Sequence, residues 1–361
     1  MERFGLVGLP NAGKSALFNA LTGGSATVAP HPYSTTETHV GVAHVADPRL
    51  DALAQMSASK KVVYATAEFV DIAALQRGSS QGEGLGNRFL GGIREVDAIL
   101  YVLRAFVDDN VVGGHDPLDD LHTLEFELTL ADLASAEGQI DRRRKAAKGT
   151  KPEPTAAAEV AALEWAIGVL GDGTPLYRAA DFTAERRETL KPFFLLTTKP
   201  VLAVVNLGED QIGDDSVVKP VADELGDAAE VLGVCLQLES EAAQLPADER
   251  AEMLEGLGLG EGVLPRVARA AYHLLGLRTF LTTGDKESRA WTFRAGAHAP
   301  ECAGVIHSDL QRGFIRAEVI RWDELLDLGS WNKAKEVGKL RVEGKDYEVQ
   351  DGDTLEIRFN V

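Results

Sequence analysis

Cysteine is scarce in this chain: Cys235 and Cys302 are the two present, and they form no metal-like or redox-like pair. There is no disulfide framework to read, and two isolated thiols in a chain of 361 residues fit a reducing cytoplasm. Long apolar runs are also missing. The longest, such as Val201–Val205, are strand-sized, so no membrane span is expected. No basic stretch, apolar run and small-residue cleavage site precede the opening MERFGLVGLPNAGKS, so no signal peptide is expected. Positive charge is in deficit, with 37 Lys+Arg against 56 Asp+Glu and a net charge of −19. That balance argues against indiscriminate binding to nucleic acid, and no DNA partner is expected.

What is present is the balance of a globular protein, 45% hydrophobic and 26% charged, at a length that suggests two or three domains. The charge is uneven. Residues 278–361 carry 13 basic and 15 acidic residues, which leaves −17 for residues 1–277. One basic run, Arg142-Arg143-Arg144-Lys145 with Lys148 and Lys151, lies inside the acidic part. It reads either as a solvated helix face or as a local patch that meets RNA phosphate.

Strand-like and helical segments alternate at first. Arg3–Leu9, Val62–Ile72 and Asp97–Phe106 read as strands, and Lys14–Leu21 as a helix stopped at Gly23-Gly24. Such alternation predicts a mostly parallel sheet with helices on its faces. From about Leu118 to Leu170 the text is helical, broken once at KGTKPEPT, which predicts a helical hairpin packed as an antiparallel coiled coil. Sheet-type text returns at Pro200–Leu207 and Val231–Leu238, so the hairpin reads as an insertion. From Arg278 on, short strands with Gly and Asp turns predict a small β-rich domain.

The chemistry starts at residues 8–15, GLPNAGKS, which match G-x-x-x-x-G-K-[ST] between an apolar strand and a helix. In that setting Gly8 and Gly13 let backbone N–H groups wrap phosphates, Lys14 reaches the β/γ oxygens and the Ser15 hydroxyl ligates magnesium. Asn11, Ala12, Gly13, Lys14, Ser15 and Ala16 are the expected phosphate-contacting residues. Asp71, closing the run Glu68-Phe69-Val70, is the expected strand-end carboxylate of the magnesium site. In the hydroxyl-rich loop of residues 30–41, Thr35 is the expected further metal ligand and γ-phosphate sensor, with Thr36 its competitor. The segment QGEGLGN lacks G-x-G-x-x-G spacing, so it reads as a mobile loop after Asp71 rather than a dinucleotide fingerprint.

Base choice falls to Asn206-Leu207-Gly208-Glu209, where guanine-specific switches usually carry Asn-Lys-x-Asp. Leu207 replaces the lysine, and the longer Glu209 displaces the carboxylate that would accept two bonds from guanine. ATP is therefore expected to be preferred over GTP.

Taken together, GLPNAGKSALFNALT, DPRLDALA, EFVDIA, QGEGLGNRFL, DPLDD, NLGED, RAWTF, GVIHSD, GFIRAEVI and the terminal VQDGD…RFNV resemble the Obg-like ATPase family, YchF subfamily, over essentially the whole chain. The resemblance implies an α/β fold in three parts: a P-loop nucleotide domain over residues 1–115 and 197–277, an inserted helical coiled-coil arm over 116–196, and a C-terminal TGS domain over 278–361. It further implies slow ATP hydrolysis with Mg2+ and association with the ribosome, large subunit and 70S, through rRNA or ribosomal proteins. Leu75 is apolar where related switches place a catalytic glutamine, and Asn11 matches an asparagine that helps hold K+ in potassium-stimulated relatives. Lys14, Asp71 and Ala74 carry the expected catalytic roles. Two departures stand out: Ala74 replaces the glycine of the D-x-A-G motif, and Tyr101 stands where many members have histidine. The competing readings are a GTPase, a small-molecule kinase, and a nucleotide-dependent interaction protein with little hydrolysis.

Overall fold

The computed structural model describes residues 2–23, 27–29, 38–73, 75, 85–108, 110–148, 153–257 and 259–360. The first strand, β1 (Arg3–Val7), is buried from Phe4 to Val7, as a central parallel strand must be. Helix α1 (Lys14–Thr22) opens at Gly13 and closes at Gly23, both in the left-handed region at φ 102 and φ 60. Strands β2 (Thr27–Ala29) and β3 (Thr38–Val45) pair antiparallel. In α2 (Pro48–Met56) the Asp47 carboxylate accepts from the Arg49 N–H and Pro48 fills the first turn. There follow β4 (Val62–Val63), β5 (Ala65–Asp71), α3 (Leu85–Arg94) and β6 (Ala98–Arg104), the last buried along its whole length.

The helical stretch comprises α4 (Pro117–Lys148), α5 (Ala156–Gly171) and α6 (Ala184–Leu190). Alternation resumes with β7 (Val201–Asn206), α7 (Asp215–Leu225), β8 (Glu230–Val234), α8 (Leu236–Ala242), α9 (Ala247–Gly256) and α10 (Leu264–Leu274). The C-terminal elements are β9 (Leu277–Thr282), β10 (Ser288–Arg294), α11 (Ala299–Ile306), α12 (Ser308–Arg312), β11 (Phe314–Arg321), α13 (Trp322–Leu328), α14 (Trp331–Glu336), β12 (Arg341–Glu343) and β13 (Asp353–Phe359).

The chain divides into two compact units, Met1–Ala43 with Glu68–Ala271, and His44–Ala67 with Tyr272–Val361. The first contains a seven-stranded sheet in the order β2-β3-β5-β1-β6-β7-β8. β5, β1, β6, β7 and β8 run parallel, so the C-terminal ends of β1, β5, β6 and β7 share one edge. A ligand site is expected at such an edge. Leu121, Leu124 and Leu128 of α4 belong to the same apolar core as Tyr101, Leu103 and Val205. The first half of α4 is thus built into the α/β core. Only its second half joins α5, where Ala136, Ile140, Leu163, Leu170 and Phe193 form a separate cluster.

Asp132 marks the junction. Its carboxylate, 1% exposed, accepts from the Leu196 N–H, the Thr197 N–H and the Thr197 hydroxyl, each at 2.7 Å. These bonds fix the return of the chain into β7. Burial pushes the Asp132 carboxyl up to about 6, against the lowering effect of those donors.

The second unit holds a six-stranded mixed sheet, β12-β11-β13-β9-β10-β4, with Phe280, Phe293, Ala317, Val319 and Leu355 in its core. Three readings of the sequence need correction here. Val62–Ile72 is not one strand: β4 pairs with β10 in this sheet, whereas β5 pairs with β1. A β-branched run carries no information about which sheet it joins. The nucleotide domain expected over residues 1–115 accordingly encloses a segment, 44–67, that folds with the C-terminal elements. Arg49 anchors that segment. It is gripped by Asp47 at 2.8 Å and Asp351 at 2.7 Å, and it donates to the Thr279 hydroxyl at 3.0 Å. Val231–Leu238 likewise splits, because β8 ends at Val234 and Cys235 caps α8.

Candidate functional site

The loop between β1 and α1 lies at the C-terminal edge of the parallel sheet. A Cβ on Gly8 would lie 2.5 Å from the Val102 carbonyl oxygen, and one on Gly13 would lie 2.5 Å from the Asn206 side-chain nitrogen. Both positions therefore require glycine, Gly13 also for its φ of 102. Lys14 is buried and its ammonium donates to the Leu9 carbonyl at 3.1 Å, folding the side chain back over the loop. Burial holds that ammonium below the usual lysine range, while the Asp71 carboxylate works in the other direction. Ala12 is buried beneath the loop, and Ala16 is exposed in the first turn of α1.

Ser15 and Asp71 lie side by side. The Ser15 hydroxyl donates to Asp71 Oδ2 at 2.7 Å, and Asp71 ends β5 opposite Leu6 of β1. Two hard oxygen donors side by side suit magnesium, which takes one or two protein ligands and completes its shell with phosphate and water. Among the described residues no cluster of three or more His, Cys, Asp or Glu could hold a metal by itself. Thr35, Thr36 and Ala74 lie outside the described residues. Leu75 is wholly buried in the core and its N–H donates to the Gly8 carbonyl at 3.3 Å, so its side chain cannot orient water.

At the other end, Asn206 closes β7 and ties two elements together. Its side-chain N–H donates to the Ala12 carbonyl at 3.1 Å, and its oxygen accepts from the Leu236 N–H at 3.3 Å. Leu207 is buried, and a Cβ on Gly233 would lie 3.0 Å from its Cδ1. Its side chain is therefore part of the core. Glu209 is exposed and opens a short 3-10 turn, Glu209–Gln211. Gln211, which sequence reading passed over, holds that turn: its oxygen accepts from the Gly208 N–H at 2.8 Å, and its N–H donates to the Ala105 carbonyl at 3.2 Å.

Arg104 was also missed. It ends β6 almost wholly buried, stacks over the Phe106 ring at 4.5 Å and lines a cavity of about 560 Å³ beside Leu9, Pro10 and Asn11. Phe106 is close in sequence, but Leu9, Pro10 and Asn11, which place Arg104 at the site, arrive from a distant part of the chain. Tyr101 lies in the core beneath α4, and burial drives its phenol well above the usual tyrosine range, so it is closed to proton transfer at the site.

The basic run divides. Arg143 pairs with Glu153 at 2.9 Å and Glu159 at 3.2 Å, and Arg144 pairs with Glu164 at 3.0 Å and Asp141 at 3.3 Å. Those two arginines close the helical hairpin. Arg142, Lys145 and Lys148 are exposed and, among the described residues, make no ion pair.

A mostly parallel sheet with a G-x-x-x-x-G-K-[ST] loop after its first strand, a Ser–Asp oxygen pair at its C-terminal edge and Asn206 closing β7 against that loop defines a P-loop nucleoside triphosphatase fold of the GTPase type. Two family models match the chain: one described as a 50S ribosome-binding GTPase over residues 3–139, and one for the C-terminal part of YchF GTPases, described as a protein of unknown function, over residues 277–360. The chain is 46% identical to the ribosome-binding ATPase YchF of Bacillus subtilis and 44% identical to that of Escherichia coli O157:H7, covering 99% of both chains in each case. The structure of the Schizosaccharomyces pombe YchF GTPase superposes with a TM-score of 0.84 at 31% identity, over 99% of this chain and 97% of that one. The chain belongs to the YchF family. Among the described residues no helix is long and apolar enough to cross a membrane.

Proposed function

We propose that this chain is a ribosome-associated regulatory ATPase that binds ATP with magnesium and hydrolyses it slowly. The observation that carries the choice of ATP is the base end of the site: Leu207 is committed to the core and Glu209 stands where a guanine-reading aspartate would be. A solvated glutamate one methylene longer loses the paired bonds to guanine, and unpaired polar groups make that mismatch costly. GTP is the second reading, favoured by the word GTPase in the description of the solved Schizosaccharomyces pombe relative.

In this reading Asn11, Ala12, Gly13, Lys14, Ser15 and Ala16 surround the phosphates, and Asn206 braces the loop from the base side. Ser15 and Asp71 hold magnesium, with Thr35 a further ligand. The ion supplies charge neutralisation at the β- and γ-phosphates. With Leu75 turned into the core, no side chain at that position orients water, which accounts for a low intrinsic rate. The second half of α4 with α5 and α6 serves as an arm and residues 278–361 as a docking element, within a cytoplasmic protein.

Co-sedimentation with 70S ribosomes and isolated large subunits, in ATP, ADP or a non-hydrolysable analogue, tests the reading. Nucleotide-dependent binding that Lys14→Ala uncouples from nucleotide is expected. Failure to sediment under any nucleotide condition contradicts the ribosomal part of the proposal.

A further inference from the structure

Asn11 is one of three described non-glycine residues with positive φ, at 64°. Asparagine tolerates that left-handed conformation better than most residues, yet it still needs something to hold it there. Its side-chain N–H donates to the Val112 carbonyl at 3.1 Å, across 101 residues of sequence. Val112 is highly exposed and has no packing of its own to fix it. The support comes from Arg104. Its Nε donates to the Phe106 carbonyl at 3.2 Å and its Nη1 to the Val111 carbonyl at 3.3 Å, which pins both ends of the turn that carries Val112. The Arg104 backbone N–H donates in turn to the Asp120 carboxylate at 3.0 Å, in the first turns of α4. A buried guanidinium that donates to two backbone carbonyls is organising backbone.

We propose that Arg104 is a positioning residue for the phosphate-binding loop: by holding the Phe106 and Val111 carbonyls it presents the adjacent Val112 carbonyl to Asn11 and fixes the Asn11 backbone and amide. The proposal rests on the nucleotide reading above, because it assigns Asn11 to the phosphate end of the site. It predicts that Arg104, Val112 and Asn11 act as one unit on nucleotide residence. Gly113 offers an independent handle. It follows Val112 at φ 126, and a Cβ there would lie 3.6 Å from Arg104 Nη1, so alanine strains the turn without removing the guanidinium.

Stopped-flow release of a fluorescent N-methylanthraniloyl-labelled ATP from the full chain tests this in wild type, Asn11→Ala, Arg104→Met, Arg104→Lys, Gly113→Ala and the double variants with Asn11→Ala. Each single variant is expected to speed release about two- to tenfold, the loss of one hydrogen bond. Arg104→Lys is expected to recover part of the effect. Adding Arg104→Met or Gly113→Ala to Asn11→Ala should change little more, because the interaction is already gone. Multiplicative effects in both double variants overturn the proposal, as does wild-type release in Asn11→Ala. If Arg104→Met fails to fold, the Gly113→Ala pair alone decides by the same criterion. Absence of labelled-ATP binding by the wild-type chain overturns the nucleotide reading and this proposal together.

Discussion

Replacing Asp132 by asparagine should change not only the stability of the first unit but its dependence on pH. The carboxyl is buried where α4 meets the segment returning to β7, and its pKa is pushed up to about 6 from an ordinary 3.8. The folded chain therefore holds a proton between about pH 4 and 6 that the unfolded chain has released. Stability from this group falls as pH rises through that window and is level above it. A shift of about 2 pKa units corresponds to about 3 kcal/mol overall, of which about 2 kcal/mol is developed between pH 7 and pH 4.5. Asparagine cannot titrate, and it offers one carbonyl oxygen where the carboxylate uses two to accept from Leu196 and Thr197. Urea unfolding of both proteins from pH 4.5 to 7.5 isolates the effect, since all other groups cancel in the difference. Wild type should gain about 2 kcal/mol on Asp132→Asn as pH falls from 7 to 4.5. A constant difference, or one that shrinks on acidification, would refute the reasoning and place the Asp132 pKa at or below its ordinary value.

Arg49→Ala should destabilise the second unit by about 3–5 kcal/mol, because Asp47 and Asp351 lose their common partner. Burial works upward on Asp351, but Arg49 and the Thr279 N–H outweigh it and hold the carboxyl below its ordinary value. That stabilisation is lost as pH falls through the depressed pKa, so acid melts of the variant should show a shallower loss. Gly13→Ala should weaken nucleotide binding by about 10- to 100-fold in calorimetry, from backbone strain and the contact with Asn206; unaltered affinity would contradict the loop geometry. Reversing Arg142, Lys145 and Lys148 to glutamate should weaken ribosome binding and flatten its salt dependence, as each lost phosphate contact does. Reversing Arg143 and Arg144 should instead lower the melting temperature of the hairpin, and equal effects of the two sets on binding would reject the distinction.

The turn between β1 and α1 and the strand end at Asp71 were legible in sequence because their signals are local: the spacing of Gly8, Gly13, Lys14 and Ser15 is set by one turn, and Asp71 closes an apolar strand. The position of α4 after β6 and before β7 was equally legible from a change of period. What stayed hidden depends on partners far along the chain. Nothing in DPRLDALA says that Arg49 will find Asp351, 302 residues away, and so the crossing of residues 44–67 into the second unit was not foreseen. The same holds for Arg144, whose run of like charges looked free until Glu164 of α5 arrived beside it. One practical consequence follows. Removing residues 278–361 would also strip β4 and α2 of their sheet, so point variants are the sounder probe of the C-terminal elements.

The choice of nucleotide is the point on which the account rests most heavily, and titration calorimetry of the full chain with ATP and GTP in magnesium tests it directly. Leu207 in the core and Glu209 at the turn predict at least about tenfold tighter binding of ATP, about 1.4 kcal/mol. Equal dissociation constants, or tighter binding of GTP, would contradict it.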